Sequence, residues 1–381
     1  MLTPRTGLTR RAMAALDASP SRIPVLVGGC GSGRTTLLQQ LHDRIGRSST
    51  QYIDVERTAT TPERFLRAVV ASSPFPAGET APAGVRAAFD ATLAFFARAR
   101  AAGSAPATFL LDEFLELRTF ESFPGLRRVL HELVEGLAAS GNRLVLTSRY
   151  VARTMRLLRG RSARFEIIHM PPLTAEDTLD MLGLAATPGD THEAGHLART
   201  VQTLADGRPA YVSAIADELA DMREHGGGDP ISALASLLAP GGRLAKQCGF
   251  SYELRLHRAR GYGALKAILE IVAEEEGLTL TEISQRLQRT PGSTKDYLSW
   301  LEDVDLVIGR QKRYSFIDPL LRVWVRLHCH ARPPTEEEVA REMHLYALPR
   351  LPRHEPAMAM ATAGGGPSDE DKKAWGIIEI D

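Results

Sequence analysis

The sequence predicts an α/β protein: a parallel sheet with helices on both faces, then a purely helical stretch, then a small winged helix-turn-helix unit. Three observations lead there. Over the first 170 residues, short and nearly continuous apolar runs alternate with stretches of helical periodicity, and strands that are apolar on both sides belong in a parallel sheet covered twice. After "PPLT" (171–174) only helical periodicity remains, to about residue 245. From about 255 to 330 the order is helix, short helix, helix, then a hairpin-like stretch.

Each element has its own signal. "RIPVLVGG" (22–29) is a short β-branched run ending in glycines, and "RTTLLQQLHDRI" (34–45) then takes up helical periodicity. "QYIDVE" (51–56) is the second strand candidate, and "TPERFLRAVVAS" opens with the Thr-Pro-Glu of a capped helix. A loop, "SSPFPAGETAPAG" (72–84), precedes an alanine-rich helix reaching about Ala102. "ATFLLDEF" (107–114) and "RLVLTS" (143–148) read as buried strands with the helical "GLRRVLHELVEGLAAS" between them, and "RFEIIHM" (164–170) is the fifth strand. "HGGGDP" (225–230) interrupts the helical stretch. The last unit reads "GYGALKAILEIVAEEEG", "LTEISQRL", "GSTKDYLSWLEDVDL" and the hairpin "VIGRQKRYSFID". From Ala331 the chain is rich in Pro and Gly and is expected to be mostly flexible. It ends in the apolar-acidic "AWGIIEID", a candidate docking motif for a protein partner or a neighbouring subunit.

Bulk composition narrows the function classes. The 381 residues suit two or three domains, and 44% apolar with 24% charged residues is an ordinary globular mixture. Lys+Arg and Asp+Glu balance at 46 each, so no global field favours nucleic acid or an anionic membrane. Cys30, Cys248 and Cys329 are few, odd in number and far apart. They read as reduced thiols of a cytoplasmic protein. The N-terminus lacks the apolar core of a secretory signal, and no run approaches the roughly 20 apolar residues of a membrane span. The first 245 residues contain no lysine, so every cation there is arginine or histidine.

That lysine-free region contains "GGCGSGRTT" (28–36), in which Gly28, Gly33, Arg34 and Thr35 fit G-x-x-x-x-G-[K→R]-[ST] between a strand and a helix. Small residues let backbone N–H groups close around phosphates, and the helix N-terminus adds its positive end. Gly28, Gly29, Gly31, Ser32, Gly33, Arg34, Thr35 and Thr36 are therefore the candidate phosphate-binding set, and the Thr35 hydroxyl suits Mg²⁺. "FLLDEF" puts Asp112 and Glu113 at the end of an apolar strand, where an acid can hold a metal's water shell and a second can orient a water.

With these residues the sequence resembles the P-loop ATPases of the AAA+/STAND group, most closely archaeal-type ATPases with a C-terminal winged helix, with the Orc/Cdc6 initiators as cousins. The carriers are "GGCGSGRTT", "FLLDEF", "LVLTSRY", "RGRSARFEIIHMPPLT", "DGRPAYV" and "YSFIDPLLRVWV", spread over residues 20 to 328. The resemblance implies a P-loop ATPase core at 1–172, a helical lid at 173–250, a winged helix at 251–330 and the tail at 331–381. It implies ATP and Mg²⁺ as ligands, with Thr35 and Asp112 on the metal and Glu113 polarising water. Thr147 or Ser148 would sense the γ-phosphate, Arg208 would approach the phosphates from the lid, and Arg161 would serve as an arginine finger in a homo-oligomer. Arg34 departs from the pattern, because a planar guanidinium replaces a compact ammonium.

Two features leave the function open between an ATPase or nucleotide-gated switch, a pseudo-ATPase adaptor and a DNA-binding regulator. Arg143, Arg149, Arg153, Arg156, Arg159, Arg161 and Arg164 form a belt free of acids between residues 141 and 165. It suits a solvated face, a subunit interface or a phosphate backbone. The third helix of the winged unit carries Lys295 but also Asp296, Glu302, Asp303 and Asp305, whereas the wing clusters Arg310, Lys312 and Arg313. DNA contact therefore rests on the wing alone.

Overall fold

The five apolar runs become five short strands: Ile23–Val27 (β1), Thr50–Asp54 (β2), Thr108–Asp112 (β3), Arg143–Ser148 (β4) and Phe165–His169 (β5). They appear in a computed structural model that describes residues 5–76, 82–184, 191–257 and 261–351. All pair in parallel, in the order β2-β3-β4-β1-β5. Successive side chains of a strand point to opposite faces, and here both faces are apolar. Val25, Val27, Phe109, Leu111, Leu144 and Leu146 enter one cluster, while Leu26, Leu110, Val145 and Ile168 enter the other.

Each face has its own helices. Leu37, Leu38 and Leu41 of Arg34–Ile45 cover the smaller cluster, joined by Ala12 and Leu16 of Thr6–Leu16, a helix that the sequence reading did not anticipate. The larger cluster is covered by Pro62–Ala71, Val85–Arg98 and Val129–Ala139. Phe109 is its aromatic centre, with the Phe96, Phe75 and Phe95 rings at 5.0, 5.4 and 5.8 Å in edge-on contact. Because β4 separates β1 from β3, the chain leaves β1 towards one edge of the sheet and leaves β4 towards the other. In open parallel sheets that reversal, at the carboxyl ends of the strands, is where ligands bind.

Beyond β5 the chain is helical, as its periodicity predicts. The helices are Ala175–Met181, Thr191–Leu204, Pro209–Glu224, Pro230–Leu238 and Arg243–Leu256. The first begins in a reciprocal cap between Thr174 and Asp177. Next come Tyr262–Glu274, Leu280–Arg286 and Pro291–Asp303, then an antiparallel sheet of Leu278–Thr279 (β6), Val307–Arg310 (β7) and Arg313–Phe316 (β8) in the order β6-β8-β7. Helix Pro319–His328 follows, with Trp324 stacked on His328 and tilted against Tyr252.

The expected flexible tail is corrected as far as Leu351. Residues Glu336–Ala347 form a helix capped reciprocally by Thr335 and Glu338, and it buries Val339, Met343 and Tyr346 against Pro230–Leu238 and Pro319–His328. The prolines at 333 and 334 end one element and the Thr-x-x-Glu box starts another, so composition alone misled. "AWGIIEID" lies outside the described residues. Among the described residues, no helix is long and apolar enough to cross a membrane.

Candidate nucleotide site

The glycine loop leaves β1 at Gly28 and enters helix Arg34–Ile45 through Gly33. Gly33 is the residue before the helix and has φ of +85°, a left-handed conformation that side chains resist. Gly29 faces the lid: a Cβ there would stand 3.0 Å from Arg208 Nη1, so a larger residue would push that side chain aside. The loop thus lies under the start of helix Pro209–Glu224, with the Ala210 N–H donating to the Gly31 carbonyl at 3.2 Å.

Asp112 ends β3 as the convergence point of three hydroxyls. Thr35 Oγ1 donates to its Oδ2 at 2.7 Å, Tyr52 Oη donates to the same oxygen at 2.9 Å, and Thr147 Oγ1 donates to Oδ1. Burial and the Asp112 charge push the Tyr52 phenol up, so it stays a donor. Thr147 also accepts from the Glu113 N–H at 2.9 Å. The parallel pairing of β3 with β4, Leu111 beside Leu146, brings Asp112 and Thr147 together at the strand ends.

Glu113 has φ of +57°, an unusual conformation for a non-glycine residue, and its carboxylate turns back between two buried arginines. Arg34 Nη2 lies 2.6 Å from Oε1, and Arg149 approaches Oε2 with Nε at 3.1 Å and its backbone N–H at 3.0 Å. Burial alone would raise the Glu113 carboxyl, but the charges of Arg34 and Arg149 and the Arg149 N–H outweigh it and hold the group below its usual range. Arg149 also pairs with Glu56, and despite burial these acids hold its guanidinium firmly charged.

Arg34, only 7% exposed, carries the departure from the usual loop. Besides Glu113, its Nη1 donates to the carbonyls of Gly28 and Gly29 and to Ser32 Oγ at 3.0 Å. An arginine fork has enough donors to hold the loop and the acid together, which an ammonium on a single stem does less well. The loop is therefore closed on its own cation. The neighbouring clefts agree: one beside Gly29, Ser32, Met170, Pro171 and Arg208 holds about 210 Å³, and one beside Arg5, Thr36, Gln40 and Met181 only about 30 Å³. Ligand pockets typically begin near ~300 Å³.

The remaining expected residues fall in three places. Arg208 reaches the loop, donating to the Cys30 carbonyl at 3.2 Å, but its charge is held by Asp318 at 2.9 Å. Ser148 Oγ accepts from the Tyr150 N–H at 3.0 Å, so it organises the start of helix Val151–Leu158, and Thr147 is the hydroxyl that meets Asp112. Arg161 donates to Glu135 on helix Val129–Ala139 at 2.8 Å and lies apart from the groups gathered around Asp112 and Glu113, where a residue serving a neighbouring subunit would also lie. The arginine belt is largely paired. Arg143 meets Asp17, Arg156 meets Asp303, and Arg164 donates to the carbonyls of Ala138, Ser140 and Ser21.

Tyr52 and Glu56 escaped the sequence reading, and Arg149 stood there only as one member of the arginine belt. Arg149 had a usable signal, standing two residues after Thr147 at the end of a strand that must neighbour β3. Tyr52 and Glu56 had none before the strand order was known.

No described group of three or more His, Cys, Asp or Glu side chains could enclose a metal alone. This does not exclude Mg²⁺, which typically uses one or two protein ligands beside phosphates and waters. The Thr35 hydroxyl and Asp112 carboxylate fit that sparse set. The glycine loop, its helix N-terminus and the Arg34 guanidinium are donor groups of the kind that suit a polyphosphate.

The parallel sheet with its glycine loop after β1 and paired acids after β3 is the fold of the P-loop ATPases. The Walker-type ATPase PABY2304 of Pyrococcus abyssi superposes on it with a TM-score of 0.61, covering 85% of this chain and 95% of that one at 16% identity, which establishes the shared fold. Matches of lower score include Orc1 of Aeropyrum pernix, solved in complex with DNA (TM-score 0.46, 17% identity, 91% and 93% of the two chains), and Cdc6p of Pyrobaculum aerophilum (0.43, 13%, 92% and 96%). No protein-family model and no curated protein matches the chain.

Proposed function

We propose that this protein is an ATP-binding, nucleotide-gated switch whose resting loop is latched by Arg34. The observation that supports the reading best is the meeting of Thr35 and Thr147 on Asp112 while Arg34 grips both the loop carbonyls and Glu113. Thr35 and Asp112 would hold Mg²⁺, which supplies charge neutralisation of the phosphates. Arg34 has two mutually exclusive tasks. While it binds Glu113 and the Gly28 and Gly29 carbonyls, the loop is shut and the carboxylate is tied to two cations. Were Arg34 to turn to a bound phosphate, Glu113 would keep Arg149 alone and would be placed to orient a water as its hydrogen-bond acceptor. Helix Pro209–Glu224 would report the change outward, since Arg208 bridges the Cys30 carbonyl to Asp318.

In this reading the winged unit docks one end on the core and leaves its wing exposed. Asp303 and Asp305, on and just beyond the third helix of the winged unit, face Arg156 and the Ala152 N–H of helix Val151–Leu158, so that end of the unit is occupied by the core rather than presented to a nucleic acid.

Thermal melting with Mg-ATP tests the proposal. A ligand that binds only the folded state stabilises it by about 2.7 kcal/mol at a hundredfold excess over Kd. The expected result is a rise in Tm with Mg-ATP that Thr35→Ala loses. An unchanged Tm at millimolar Mg-ATP would count decisively against the switch.

A further inference from the structure

The three thiols sit in different surroundings. Cys248 is buried with its Sγ 3.8 Å from Tyr211 Oη, and burial pushes its thiol up; burial does the same for the half-buried Cys329. Cys30, half-buried in the glycine loop, is different. Its Sγ accepts from Arg255 Nη2 at 3.2 Å and from Ser251 Oγ at 3.3 Å, both one turn apart on helix Arg243–Leu256.

Arg255 is the second half of the observation. It is 3% exposed, its Nη1 donates to the Asp305 carbonyl at 2.8 Å, and its Nε has no hydrogen-bond partner. Among the described residues it forms no ion pair with a carboxylate. The other arginines around the loop are served: Arg34 and Arg149 by Glu113, Arg149 also by Glu56, and Arg208 by Asp318. The Asp318 and Asp305 carboxylates act on Arg255 only at longer range, Asp318 paired with Arg208 and Asp305 with its Oδ1 turned to the Ala152 N–H. A buried guanidinium needs an anion close by, and the atom at hydrogen-bond distance is sulfur.

We propose that Cys30 is held as a thiolate by Arg255 and is the residue at which a hydroperoxide oxidises this protein. Burial opposes the charge, but Arg255, Arg149, the Ser251 hydroxyl and Arg34 outweigh it and bring the thiol below its usual range. The thiolate is the nucleophile in such chemistry. It attacks one oxygen of the hydroperoxide, an S–O bond forms as the O–O bond breaks, and hydroxide or alkoxide leaves and takes a proton from water. Sulfur is oxidised by two electrons to a sulfenic acid and the peroxide is reduced. The product is neutral, so Arg255 loses its counter-charge and the clamp between helix Arg243–Leu256 and the loop loosens.

Full-length protein treated with hydrogen peroxide in the presence of dimedone, then digested and read by mass spectrometry, tests this with two internal controls. At pH 7 the Cys30 adduct should form at least about tenfold faster than those of Cys248 and Cys329, because the thiolate is the reacting form. Arg255→Gln should abolish that lead. Equal rates for Cys30 and Cys329, or a lead that persists in Arg255→Gln, overturn the proposal. Should Arg255→Gln not fold, iodoacetamide labelling of the wild type against pH decides. A Cys30 midpoint below about 8 supports a stabilised thiolate, and one at or above it rules that out, since a free cysteine titrates near 8.5. None of these readouts depends on nucleotide, so their failure leaves the switch reading untouched.

Discussion

Arg34 shows how one side chain sets the state of a site. Its guanidinium satisfies two loop carbonyls, Ser32 and Glu113 together, so opening the loop means giving up several charge-assisted contacts at once. Arg34→Lys keeps the charge but not the fork. It is expected to leave ATP affinity within a few-fold of wild type and to raise steady-state turnover by about tenfold, measured by phosphate release, because an ammonium replaces the fork that ties the loop carbonyls to Glu113 and about one charge-assisted contact fewer opposes opening. A slower Arg34→Lys enzyme would show that the fork is needed for chemistry. The same cluster predicts an acid transition. Glu113 titrates lower in the folded state than its ordinary 4.5, so its stabilisation is complete above that value and is lost as pH falls through the lowered one. Glu113→Gln should therefore flatten the dependence of Tm on pH below about 4.5, at a cost of about 3 kcal/mol at neutral pH for breaking a buried pair.

Between elements, one continuous apolar cluster runs from the sheet to the last helices, and buried carboxylates add polar contacts to it. Asp318 caps helix Pro319–His328 through the N–H groups of Leu320 and Leu321, accepts from Tyr211 Oη at 2.8 Å and balances Arg208. Asp318→Asn keeps an N-cap oxygen but removes the charge, leaving Arg208 buried without its main partner. A loss of about 3 kcal/mol in urea unfolding is expected, together with faster cleavage of the loop by protease. Asp305 works in the opposite direction. Burial, only partly offset by the Ala152 N–H and Arg255, raises its carboxyl to about 6. An acid raised on folding stabilises below its unfolded value of 3.8, and that contribution is lost as pH rises through about 6. Asp305→Asn should therefore gain on the order of 1–3 kcal/mol at pH 7 and remove the downward slope of stability between pH 4 and 6. A variant no more stable than wild type at pH 7 would mean that Arg255 needs the Asp305 charge.

At the scale of the molecule, the described residues pack as one unit, and helix Glu336–Ala347 helps close it. Tyr346 Oη donates to the Leu204 carbonyl at 2.9 Å while Met343 is fully buried. Tyr346→Ala is expected to cost about 3–5 kcal/mol, seen as a lower urea midpoint, although the sequence marks this stretch as tail. A change below about 1 kcal/mol would return it to that status.

The sequence by itself determined the five strands, their parallel sheet, the glycine loop and the acid pair, because each is a local signal: a β-branched run, a periodicity, a motif of fixed spacing. Thr35, Asp112 and Glu113 were legible for that reason. Only the tertiary structure decided what each charge faces. Strand order placed β4 between β1 and β3 and so delivered Thr147 to Asp112 and Arg149 to Glu113, across 35 and 36 residues of chain. The belt of arginines looked uniform in the sequence, yet Arg149 is buried in the site, Arg156 pairs with Asp303, and Arg161 is spaced away on Glu135. Helix Glu336–Ala347 was hidden by flanking prolines and glycines, and Arg255 meets Cys30 across 225 residues. Electrostatic partners are chosen by proximity in space, and a buried charge takes whichever counter-charge the packing brings within a few ångströms. Local sequence fixes backbone preference and apolar face. It carries no record of which distant side chain will arrive opposite.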